Sequence, residues 1–82
     1  MESLQYLIDT ICARVTVEFM YGLIRSRLGQ GAFKLDEILP AIQSKDRSLD
    51  SGSARQIAEA AVQELAQLGE VTVREEQVSP TR

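Results

Sequence analysis

The sequence predicts a mainly α domain with a small β-hairpin or short strand pair. Three observations predict it. Apolar residues recur at intervals of three and four through residues 3–28 and again through 53–68. Val71 and Val73 alternate with Glu70, Thr72 and Arg74, which is the period of a strand. Glycines (5) and prolines (2) are few while Ala, Leu, Gln and Glu are frequent, a composition that favours helix.

In residues 3–28 the apolar set is Leu4, Leu7, Ile8, Ile11 and Val15, continued by Phe19, Met20, Leu23, Ile24 and Leu28. Ser3 suits the start as a cap. Val15-Thr16-Val17 places three β-branched residues in a row, which lose side-chain freedom in a helix. The expectation is a break near Thr16, with Thr16 capping a second helix and Glu18 in its first turn. The alternative is one helix running through, ended by Gly29.

Gly29-Gln30-Gly31 reads as a turn and Ala32–Leu35 as a very short strand. Asp36 is placed to cap a short helix with Glu37 in its first turn and Ile38, Leu39 and Ile42 facing in. Pro40 falls in or just after that first turn, where it removes at most one hydrogen bond. Gln43–Gly52 is the longest polar stretch and reads as a loop with turn chemistry at Asp50-Ser51-Gly52. The best-marked helix follows. Ser53 and Gln56 have capping-box spacing, and Ala54, Ile57, Ala58, Ala61, Val62, Leu65 and Leu68 form one stripe. Gly69 stands where a left-handed cap belongs. The domain is expected to span residues 1–76, with residues 77–82 a mobile tail.

Eighty-two residues make one domain at most. The net charge of −3 and pI near 4.8 argue against coating nucleic acid by bulk charge. The charge is uneven, and residues 25–55 form the only stretch with a positive balance. A single cysteine, Cys12, closes no intramolecular disulfide, and with no histidine the chain supplies no Cys/His zinc site. Cys12 shares the apolar side of its helix with Ile8 and Val15, so a buried thiol is expected. Neither a secretory signal nor a run of about 20 apolar residues is visible, which makes a cytoplasmic protein the expectation.

The stretch Gly31-Ala-Phe-Lys-Leu-Asp-Glu-Ile-Leu39 resembles the first strand and second helix of a winged-helix domain, the helix-turn-helix variant with a small β-hairpin. Ala61-Val-Gln-Glu-Leu-Ala-Gln-Leu-Gly-Glu-Val-Thr-Val73 resembles the end of its third helix, the following glycine and the first wing strand. The resemblance covers about residues 17–74 and implies a DNA-binding regulatory protein whose third helix meets the duplex. Three features depart from that pattern. The polar loop before the third helix is long. That helix carries no basic residue after Arg55 but does carry Glu59 and Glu64. Little chain remains after Val73 for a second wing strand, so Val73 is expected to pair with the Phe33 strand instead. A three- or four-helix bundle is the alternative architecture.

Enzyme chemistry finds no support. The chain has no histidine for base catalysis, and Gly29-x-Gly31 lacks the rest of a dinucleotide or phosphate loop. No cofactor, metal site, membrane or small-molecule substrate is indicated. Adjacent Glu75 and Glu76 point to opposite faces of a strand and suit a solvated tail better than a metal. The candidate site is Lys45, Arg47, Ser51, Ser53 and Arg55, gathered at the start of the long helix, where free N–H groups favour a phosphate. Arg25, Arg27 and Lys34 extend it if the first helical segment ends nearby. Leu4, Leu7, Ile8, Ile11 and Val15 form a candidate dimer or partner face. The expected function is a small non-enzymatic regulatory protein that binds DNA as a dimer. The alternative is an adaptor of similar fold that binds a protein through its first helix or a strand edge.

Overall fold

The computed structural model describes residues 3–81. Residues 1, 2 and 82, the outer ends of the predicted domain and tail, lie outside the described residues. Four α-helices and a three-stranded antiparallel sheet make up the described chain, a mainly α fold with a small β element.

Helix α1 (Leu4–Ile11) begins where Ser3 Oγ accepts the Tyr6 N–H at 3.1 Å. It ends at Cys12, whose φ of 61° turns the chain out of the helix while the Ala13 N–H donates to the Ile8 carbonyl at 3.0 Å. Helix α2 (Val17–Leu28) starts at Thr16, whose Oγ1 accepts the Phe19 N–H at 2.9 Å. The break therefore lies at the β-branched run, and Val15 is buried between the two helices. The left-handed turn corrects the reading of Cys12. Its side chain leaves the apolar face of α1 and is exposed.

Gly31, at φ 111°, leads into strand β1 (Phe33–Lys34). A 3-10 turn (Leu35–Ile38) and α3 (Leu39–Lys45) follow, with Pro40 in the first turn of α3. Asp36 does not cap this segment. Its entry is held by Glu37, whose carboxylate accepts the Lys34 N–H at 2.9 Å.

The polar stretch is shorter as a loop than its sequence suggests. Helix α3 runs to Lys45 and α4 (Ser51–Gln67) begins two residues before Ser53, leaving Asp46–Asp50 between them. Asp50 is the cap of α4, its carboxylate accepting the Ser53 N–H at 2.7 Å. Leu49 is buried within this loop, and so is Asp46, the one buried charged side chain among the described residues. The stripe of α4 is the centre of the core, with Ala54, Ile57, Ala58, Ala61 and Leu65 wholly buried and Val62 nearly so. Leu68 departs from the stripe and is 63% exposed, because the helix ends there. Gly69 has φ 80°, and the Glu70 N–H closes the end by donating to the Leu65 carbonyl at 2.9 Å.

Strand β2 (Val71–Arg74) is followed by β3 (Gln77–Pro80), which lies in the segment read as a mobile tail. Glu75 and Glu76 both have positive φ, 49° and 71°, so two residues suffice to reverse the chain. The spatial order is β1-β3-β2. Val73 therefore pairs with Val78 and not with the Phe33 strand, while Val78 pairs on its other side with Phe33. Val78 is fully buried at the centre of the sheet.

Candidate functional site

The five polar residues gathered in the sequence do not converge in the fold. At the start of α4, the Asp50 carboxylate already occupies the position an anion would take. The Ser53 N–H holds Asp50 below the usual carboxylate range. Ser53 is half-buried there and Ser51 is exposed.

Lys45 and Arg47 instead flank a shallow depression that they share with Arg14, Ser44 and Ser48. Its floor is Asp46, which accepts hydrogen bonds from the Ser48 hydroxyl at 2.6 Å, the Arg14 N–H at 2.7 Å and the Ser48 N–H at 3.0 Å. The Ser48 hydroxyl is the largest cause that holds Asp46 below the usual carboxylate range, followed by the Arg14 N–H. Asp46 thus fixes the loop to the α1–α2 connection. The Lys45 ammonium lies 5.5 Å from the centre of the Phe19 ring.

Arg55 belongs to a separate cluster. Its guanidinium hydrogen-bonds Asp36 in the 3-10 turn and Glu76 in the hairpin turn, and its Nε lies 3.9 Å from Glu59 one turn along α4. Exposed pairs of this kind add little to stability, because water and salt screen them. Their consequence is positional, since one side chain ties the hairpin and the 3-10 turn to α4. Arg25 and Arg27 are engaged as well. Arg25 grips Glu70 with two bonds of 2.9 and 2.8 Å, and Arg27 reaches Glu37 and Gln30. Lys34 lies by Arg74, Glu75 and Gln77 at a separate depression.

The predicted partner face on α1 is corrected by burial. Leu4, Ile8 and Val15 belong to the core, and Leu7 and Ile11 are half-buried against it. Helix α1 spends this face on its own domain, packing on α4.

A different surface emerges between α4 and the hairpin. A groove of about 210 Å³ runs there over Leu35, Val62, Val73 and Val78. Glu59, Gln63 and Glu76 complete its lining. Val73 is 42% exposed, although it belongs to the same sheet face as buried Val78. On α4 the outward residues Gln56, Glu59, Gln63 and Gln67 include no cation. The apolar character of Val62 and Val73 is legible in the sequence. Their meeting across a groove depends on β3 and the Arg55 cluster, which no local pattern announces.

Among the described residues, no group of three or more Cys, Asp or Glu side chains is arranged to hold a metal ion, and no helix is long and apolar enough to cross a membrane. Compared with family models, curated proteins and solved structures, the chain finds no match.

Proposed function

We propose that the chain is a non-enzymatic winged-helix module that binds another protein through the surface of α4 and its hairpin. The winged-helix reading is supported by the order α2, β1, α3, α4, β2, β3 and by β3 lying between β1 and β2. The observation that carries the functional reading is the acidity of the face a duplex would meet. Glu59 stands on the outward side of α4, Glu75 and Glu76 form the tip of the hairpin, and Asp36 and Glu76 engage Arg55. Phosphate binding draws its affinity from Lys and Arg. Here the exposed helix carries glutamine and glutamate, and its one arginine is already paired.

A second reading keeps the DNA-binding expectation and rests on Arg14, Lys45 and Arg47, which share one depression. Titration with a random duplex of 20–30 base pairs, at low and moderate salt, separates the two. Protein binding predicts no salt-sensitive complex. A complex that weakens steeply with salt, and is lost when Lys45 and Arg47 are both changed to Ala, overturns it in favour of DNA. Light scattering on the same samples gives the oligomeric state.

A further inference from the structure

We infer that the groove between α4 and the hairpin receives an extended segment of a partner protein, with an apolar side chain flanked by lysine or arginine; this rests on the protein-binding reading above. Three features of the groove lead there.

The floor is apolar and partly open. Val73 is 42% exposed over Val62 and Val78, so an entering aliphatic side chain would remove apolar surface from water on both sides. The rim is acidic. Asp36, Glu59 and Glu76 surround the single guanidinium of Arg55, leaving two negative charges in excess. Arg74 does not neutralise them, because neighbouring strand residues point to opposite faces and Arg74 accompanies Lys34 at another depression. A cationic partner complements that rim, and a phosphate backbone is repelled by it.

The third feature is an available strand edge. β2 is the outer strand of the sheet, and β3 is its one sheet partner among the described residues. Arg74 and Gln77 flank the two-residue turn as its closing hydrogen-bonded pair. The Val73 N–H and carbonyl therefore point away from β3, toward the open edge. An extended chain pairing there sends alternate side chains toward the groove and toward solvent, the usual division between backbone affinity and side-chain specificity in strand addition. Arg55 holds α4 and the hairpin turn in register before the partner arrives, which lowers the ordering cost of binding.

The test uses the full chain and fluorescein-labelled peptides followed by anisotropy and by amide chemical shifts. One peptide alternates leucine with lysine, a second replaces lysine by glutamate, and a third replaces leucine by serine. The leucine–lysine peptide is expected to bind and to shift the amides of Val62, Val73 and Val78, with about tenfold weaker binding by the serine peptide. Glu59→Lys should weaken the leucine–lysine peptide about tenfold. Val73→Asp should abolish binding while leaving the far-UV circular dichroism unchanged, since this side chain is 42% exposed and lies outside the buried core. Absence of binding, shifts confined to other residues, or indifference to both substitutions overturns the inference. Equal binding of the glutamate peptide at Val73 overturns the cationic partner and leaves the protein-binding reading standing. A duplex that shifts the same amides overturns both.

Discussion

Replacing Glu64 by Ala should remove a large share of the folding free energy, although the sequence places this residue among the acidic side chains of an amphipathic helix. One carboxylate oxygen of Glu64 accepts the Leu4 N–H at 2.6 Å and the other accepts the Tyr21 hydroxyl at 2.7 Å. Leu4 is the first residue of α1, so its N–H is one of those that no intrahelical carbonyl satisfies. A hydrogen bond to a charged group contributes about 1.5–3 kcal/mol. Both bonds are only partly buried, so the lower figure applies to each, and the pair sums to about 3 kcal/mol. Domains of this length are stable by roughly 4–12 kcal/mol. A loss of about 3 kcal/mol lowers Tm by roughly 12–24 °C. Urea and thermal unfolding of the wild type, Glu64→Ala, Tyr21→Phe and the double variant measure both the loss and its coupling. Tyr21→Phe should cost about 1.5 kcal/mol alone and much less once Glu64 is gone. A Glu64→Ala loss below about 0.5 kcal/mol, or strict additivity with Tyr21→Phe, would refute the reasoning. The pair also sets an alkaline limit. The Glu64 hydrogen bond, followed by burial, raises the Tyr21 phenol above its ordinary value. A raised folded-state pKa contributes stability that is complete below the unfolded value, about 10, and is lost as pH climbs through the folded one. Tyr21→Phe should flatten the alkaline end of the stability profile.

Three further outcomes are expected. Val78→Ala should cost about 2 kcal/mol by far-UV circular dichroism in urea, and truncation after Glu76 should abolish cooperative unfolding; a truncated chain as stable as the full one would restore residues 77–81 as a tail. Asp46, Asp50 and Glu70 are each held below the usual carboxylate range in the fold. Their stabilisation is present above about pH 4 and is lost as pH falls through their folded values. Asp46→Asn should therefore lower stability at neutral pH and reduce its decline toward acid, and an unchanged acid profile would count against the loop anchor. Cys12 should react with a thiol reagent under native conditions at a rate comparable to that of the unfolded chain, whereas slow, unfolding-limited labelling would return it to the core.

Where the sequence reads well, the cause is local. Ser3, Thr16 and Gly69 act within a few residues of themselves, and each takes the capping role its chemistry suggests. The α4 stripe is equally plain, because period and burial agree along most of its length. The misreadings share a different cause. Glu75-Glu76 lacks the asparagine and glycine that usually mark a tight hairpin, so β3 passes for a tail. Asp46 looks like a solvated loop charge, yet Asp-x-Ser is the spacing of a side-chain turn, and the Arg14 N–H that completes its environment is 32 positions away. Asp50 outcompetes Ser53 for the cap because its carboxylate reaches the Ser53 N–H, which starts the helix earlier and shortens the loop.

For the functional surface the division is sharper. The sequence by itself determined that this chain is mainly helical, which face of α4 is buried and that Val71 opens a strand, and it left a break at Thr16 beside a single helix through residues 3–28. Those outcomes follow from side-chain period and capping, which act over a turn or two. Only the tertiary structure decided that Arg55 turns toward Asp36 and Glu76 while Lys45 and Arg47 gather with Arg14, so that one apparent basic site becomes two unlike surfaces. It likewise decided that Leu4, Ile8 and Val15 are consumed by the core, leaving Val73 open above the groove. The physical reason is that charge pairing and burial depend on which elements meet in space, and contacts such as Leu4 with Glu64, 60 positions apart, have no local signature in the chain.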